Sequence, residues 1–136
     1  METADDLRAF VYQLCDEEKY DAEEGKWIFS RGCDCFRCAD SAAKIVRRFG
    51  GRVVGYFSAR NTAALIGSVY GEGHDFALVS NRYLVDYWAF SIARLIDDPV
   101  LDLDKLHDLA RSRVLYGDES TWEDVAISRD QSEDDK

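Results

Sequence analysis

The sequence predicts one α+β domain, and three observations carry that prediction. The first lies in Gly71 to Trp88, where two runs rich in strand formers, His74 to Val79 and Tyr83 to Tyr87, flank the turn-forming Ser80, Asn81 and Arg82. That pattern reads as an antiparallel hairpin. The second is a helical spacing of Ala39, Ala42, Ala43, Val46 and Phe49 from Phe36 onward, closed by Arg47, Arg48 and the pair Gly50-Gly51. The third is size: 136 residues, 46% of them hydrophobic, are ample for a single core. The domain is expected over residues 1–127, with 128–136 a polar, acidic, aperiodic tail expected to be disordered.

Thr3 is placed to cap a first helix in which Leu7, Phe10, Val11 and Leu14 recur at three- and four-residue steps, running to about Glu18. Cys15, beside Leu14, reads as a core thiol, because free cysteine packs as a small hydrophobe. Lys19 to Gly25 is charged and reads as a loop before the short apolar run Lys26 to Phe29. After the central helix, Arg52 to Ser58 has the β-branched and aromatic content of a strand, and Asn61 is a candidate cap for a short helix through Ile66. The sheet is therefore expected to contain about Val53 to Ser58, His74 to Val79 and Tyr83 to Tyr87. Trp88 to Leu95 is a helix or covering segment stopped by Asp97-Asp98-Pro99. Asp102 or Asp104 is expected to cap a last helix whose shared face is Leu103, Leu106, Ala110 and Val114, ending near Gly117. His107 on that helix reads as a surface or half-buried structural histidine, and Trp122 is expected to pack back onto the domain.

The chemistry-bearing residues fall in two places. In the hairpin, His74 opens the first strand and Asp86 lies near the end of the second, so antiparallel pairing brings them to one end of the sheet. Such a pair holds an imidazole in one tautomer and supports its protonated form. Asp75, adjacent to His74, is expected on the opposite face. Trp88 is expected to cover the pair. Upstream, Cys33, Cys35 and Cys38 directly precede or enter the central helix, where unpaired N–H groups and the positive dipole end favour a thiolate.

The order Cys, His, Asp, with Gly32, Cys35 and Phe36 before a helix, Gly73-His74 at a strand start and Asp86 at a strand end, resembles the papain-like fold. That superfamily includes transglutaminase-like and arylamine N-acetyltransferase-like enzymes and small bacterial papain-fold toxins, effectors and deamidases. The resemblance covers about Ser30 to Trp88. It implies a central helix carrying the cysteine at its start, packed on a small antiparallel sheet carrying His and Asp. It also implies a thiol hydrolase or acyltransferase acting on protein or peptide amides, as a cysteine peptidase, glutamine deamidase or transglutaminase-like enzyme, through a catalytic triad of Cys35, His74 and Asp86. The cysteine-aromatic step of the family selects Cys35, with Cys38 the alternative nucleophile. The glutamine that papain-like peptidases carry upstream is missing, since Gln13 lies too early, so the resemblance supports acyl transfer in general more than peptidase action.

The same cysteines admit a second reading. Cys33, Cys35 and Cys38 offer three thiolates and His74 a fourth ligand, which would satisfy tetrahedral zinc in a non-enzymatic protein-interaction domain. The second two-cysteine knuckle usual in structural zinc sites is absent. The catalytic reading needs no metal and no cofactor. A net charge of −10 disfavours nucleic acid and anionic membrane surfaces and suits basic protein or peptide partners. No apolar run approaches the roughly 20 residues of a membrane span. The opening Met-Glu-Thr-Ala-Asp-Asp lacks the features of a signal peptide, so a cytoplasmic location is expected, with delivery into another cell by a signal-less route left open.

Overall fold

The computed structural model describes residues 3–17, 20–21, 26–27, 38–61, 64–66 and 73–125. Helix α1 spans Ala4–Glu17. Thr3 begins it as expected: its hydroxyl accepts from the Asp6 N–H at 3.2 Å, and the Asp6 carboxylate accepts from the Thr3 N–H at 3.0 Å. Two short strands, β1 (Tyr20–Asp21) and β2 (Lys26–Trp27), pair antiparallel. Helix α2 spans Cys38–Phe49, and Gly50 and Gly51, both at positive φ, turn the chain straight into β3 (Arg52–Phe57).

The hairpin forms from β4 (Gly73–Val79) and β5 (Tyr83–Val85). Ser80 and Asn81 take φ of 57° and 51°, and the Arg82 N–H closes the turn on the Val79 carbonyl at 3.1 Å. Positive φ at both positions gives the turn a twist that matches the flanking strands. A π-helical turn covers Trp88–Ile92. Strand β6 (Val100–Asp102), helix α3 (Leu106–Tyr116) and β7 (Glu123–Asp124) complete the described chain. The fold is α+β, with an antiparallel sheet in the order β6-β5-β4-β3-β7.

Strand alternation divides the core between the two faces of this sheet. Ala77, Val79, Val85 and Val53 pack with Leu7, Val11 and Leu14 of α1 and Ala42 and Ile45 of α2. Phe76, Leu78, Leu84 and Val54 pack on the other side with Ala64, Ile66, Trp88 and Tyr116. The small residues of α2 lie against the sheet as their size predicts, with Ser41, Ala42 and Ala43 buried.

Several expectations change, among them the cap of α3, where Lys105 stands at the N-terminus, with no side-chain cap, in place of Asp102 or Asp104. The second hairpin strand ends at Val85 instead of Tyr87, because the Asp86 N–H bonds the Pro99 carbonyl and the Asp86 side chain caps the helical turn that follows. The sheet gains β6 and β7 at its edges. On α3 the stripe Leu106, Ala110, Val114 faces outward, with Leu106 85% and Val114 61% exposed, while Ser112 and Tyr116 are buried. The inward face is instead the one that carries the large ring of Tyr116, whose burial removes more apolar surface from water than an alanine or valine can. The Asn61 amide serves the far end of the chain, donating to the Tyr116 carbonyl at 2.8 Å. The start of the central helix at Cys35 and the tail over 128–136 lie outside the described residues.

A clamp ties the hairpin turn to the sheet edge. Arg82 Nε and Nη2 donate to the two oxygens of Asp102, each at 2.9 Å. Asp102 is buried, and the guanidinium holds its carboxyl below the ordinary value of 3.8. The unfolded chain therefore binds the proton more tightly, so this contribution is complete above about pH 4 and is lost as pH falls through the lower, folded value. The melting temperature of Asp102→Asn is expected to trail that of the parent at pH 6, with the gap closing as both are measured toward pH 2. A gap independent of pH would show that the carboxylate charge contributes nothing.

Candidate active site

The hairpin delivers its two polar residues to one place. Continuing the register in which Ala77 faces Val85 sets Asp86 opposite Phe76, and His74, two residues back on the same face, is its diagonal neighbour. His74 Nε2 and Asp86 Oδ2 lie 2.5 Å apart, and both residues are buried, at 4% and 2% exposure.

Two further donors hold the carboxylate. The Tyr116 hydroxyl donates to Oδ2 at 2.8 Å, and the Ala89 N–H donates to Oδ1 at 3.0 Å. A carboxylate only accepts, so Nε2 is the protonated ring nitrogen and proton transfer to or from the neutral imidazole runs through Nδ1. Burial, followed by the Asp86 charge and the bond to it, pushes the Tyr116 phenol well above its ordinary value, so Tyr116 stays a donor.

Aromatic rings enclose the pair. Ring centroids of Trp88, Phe76 and Tyr116 lie 5.2, 5.9 and 6.0 Å from that of His74. Trp88 thus stands where covering of the pair was expected. Tyr116 was not singled out by sequence, and Asn61 only as a helix cap; a tyrosine before the glycine that ends a helix carries no signal of its own. Tyr116 is held by its carbonyl, which accepts from Asn61 Nδ2 at 2.8 Å and from Trp122 Nε1 at 2.9 Å. Trp122 meets Phe76 edge-on at 5.0 Å, so it does pack back onto the domain.

Asp75 projects to the α2 face, opposite to His74, as strand alternation requires. Burial raises its carboxyl above the ordinary range, against the lowering influence of His74, with Asp86 raising it further. Register aligns Asp75, Gly55 and Glu123 across three strands. A cleft of about 380 Å³ opens there, lined by these residues together with Tyr56, Phe57, Gly73, His74, Asp124 and Val125. Gly55 belongs to its floor by necessity, since a Cβ would stand 2.0 Å from Asp75 Oδ1 and 2.8 Å from the His74 carbonyl oxygen.

Helix α2 leads directly into β3, so it runs antiparallel to β3 and parallel to β4. Its twelve residues rise about 18 Å, close to the length of the seven-residue β4. The helix therefore begins, at Cys38, near the Gly73–Asp75 end of the sheet, on the face of Asp75. Cys33 and Cys35 lie outside the described residues, as does the Cys38 side chain, so the geometry of the expected nucleophiles, and of the zinc alternative, lies outside them too. Among the described residues no group of three or more His, Cys, Asp or Glu is placed to hold a metal. Cys15 packs half-buried against the core of α1 and α2, and His107 is exposed on α3, away from the pair.

No family model matches the chain, and neither a curated protein nor a solved structure matches it. Among the described residues no helix is long and apolar enough to cross a membrane.

Proposed function

We propose that the protein is a cysteine-dependent acyl-transfer enzyme of papain-like type, acting on protein or peptide amides. The observation that carries the reading is the buried His74–Asp86 pair at the end of the sheet where α2 begins. In the proposed reaction the Cys35 thiol, with Cys38 the alternative, gives its proton to His74 Nδ1 and its sulfur adds to the substrate carbonyl. The imidazolium returns the proton to the departing amine, leaving a thioester, and water or a second amine takes the acyl group while restoring the thiol. Asp86 orients the ring throughout. Helix α2 and the His74 ring occupy opposite faces of the sheet. Asp75, Glu123 and Asp124 line the neighbouring cleft, with Asp124 paired to Arg52.

A second reading draws on that separation of faces and on the 4% exposure of His74. Here His74, Asp86 and Tyr116 form a polar core that joins α3 to the sheet in a non-enzymatic interaction domain, zinc-stabilised through Cys33, Cys35 and Cys38 or metal-free.

Alkylation of the full chain by iodoacetamide at pH 6, with and without chelator and mapped by peptide mass spectrometry, separates these. At that pH an ordinary thiol is less than about 1% thiolate, whereas a histidine-paired one is mostly ionised. The enzyme reading expects Cys35 to react more than about tenfold faster than a free thiol, with Asp86→Asn leaving the thiol reactive and His74→Gln removing the advantage while circular dichroism shows the fold retained. Ordinary reactivity at every cysteine supports the metal-free interaction domain, and three thiols unmasked only by chelator support zinc.

A further inference from the structure

The hydroxyl of Tyr116 meets the same Asp86 oxygen that faces His74, at 2.8 Å, while the Ala89 N–H occupies the other. Tyr116 is fully buried, its ring packs against those of His74 and Phe76, and two side chains from separate parts of the chain, Asn61 and Trp122, grip its carbonyl. A ring needed only to fill this space would be served by phenylalanine. A phenol is different: it brings a donor that competes with the imidazole for one lone-pair-bearing oxygen and spreads the charge there.

We propose that Tyr116 is a positioning residue of the site, whose hydroxyl fixes the Asp86 carboxylate and moderates the pull of Oδ2 on the His74 proton. The inference rests on reading His74 and Asp86 as the proton-handling pair of the enzyme. Without the hydroxyl, Oδ2 carries more uncompensated charge and the pair holds its proton more tightly, whichever of the two groups bears it. The hydroxyl thus makes His74 a weaker base and, once protonated, a readier acid toward the departing amine. Among the described residues, Asp75 on β4, Tyr56 on β3 and Arg111 on α3 also act on this network, and the substitutions below leave all three in place.

The test is the titration of the His74 ring by nuclear magnetic resonance in the full chain, for the parent, for Tyr116→Phe and for a chain with fluorotyrosine at 116. Fluorotyrosine preserves the ring and hydroxyl but makes the phenol a stronger donor, so it remains informative where Tyr116→Phe fails to fold. The pair in Tyr116→Phe is expected to take up its proton about 0.5–1 pH unit higher than in the parent, and in the fluorinated chain lower. The same displacement is expected in the His74-dependent limb of the iodoacetamide pH profile. Unchanged titration in a folded Tyr116→Phe, or in the fluorinated chain, overturns the proposal and leaves Tyr116 a packing residue. Thiol reactivity indifferent to His74, by contrast, overturns the enzyme reading, and the ring titration still decides the effect of Tyr116 on the pair.

Discussion

Asp86→Ala is expected to destabilise the protein by about 3–5 kcal/mol, the cost of leaving a buried hydrogen-bonded partner uncompensated. The carboxylate is 2% exposed and is faced by His74 Nε2, the Tyr116 hydroxyl and the Ala89 N–H. All three lose their acceptor at once, inside an enclosure of Phe76, Trp88 and Tyr116. Against a total stability of about 5–15 kcal/mol, the loss corresponds to a melting temperature lower by about 10–20 °C. Asp86→Asn keeps the shape and one acceptor, so its cost is expected near 1–2 kcal/mol. Its amide presents N–H to the imidazole, which moves the ring proton to Nδ1, the wrong tautomer for turnover. Thermal melts of the two variants check the ordering. A melting temperature for Asp86→Ala within about 2 °C of the parent would show that the pair is not held as the structure has it.

The second large effect is expected where α2 turns into β3. Gly50 and Gly51 have φ of 85° and 92°, a region that side chains enter only with strain. At Gly50 a Cβ meets nothing within 4 Å, so Gly50→Ala is expected to cost only the conformational penalty of about 1 kcal/mol. At Gly51 a Cβ would lie 2.3 Å from the Leu78 carbonyl oxygen and 3.0 Å from the Val79 Cα, both backbone atoms of the central strand β4. Backbone inside a sheet cannot yield as a side-chain end does, so α2 would have to lift from the sheet. Gly51→Ala is expected to cost about 3 kcal/mol or more, read as a drop in the urea midpoint several times that of Gly50→Ala. Equal midpoints for the two variants would contradict the close approach of the turn to β4.

The hairpin was legible because its signals are local. Alternating strand formers, turn residues at Ser80 and Asn81 and the period of two together place His74 and Asp86 at one end of the sheet on one face, and Asp75 on the other. Helices α1 and α2 were legible for the same reason, through three- and four-residue spacing and the cap at Thr3. The edge strands Val100–Asp102 and Glu123–Asp124 were not, since two or three residues are too short to display a period. They become strands only because β5 and β3 offer them unpaired edges.

Helix α3 shows the limit most clearly. Its existence follows from its spacing, but two stripes compete on it, and the one with more aliphatic residues, Leu106, Ala110 and Val114, turns outward. Tyr116 turns inward instead, its ring against His74 and Phe76 and its hydroxyl on Asp86 thirty residues away. Local sequence thus determined that a histidine and a carboxylate meet, because a hairpin is a short-range object with a fixed register. That they meet in a closed aromatic box, with a phenol on the shared oxygen and the cysteine-bearing helix beginning on the opposite face, was decided by tertiary packing, because each of those contacts joins segments whose separation along the chain carries no periodic trace of it.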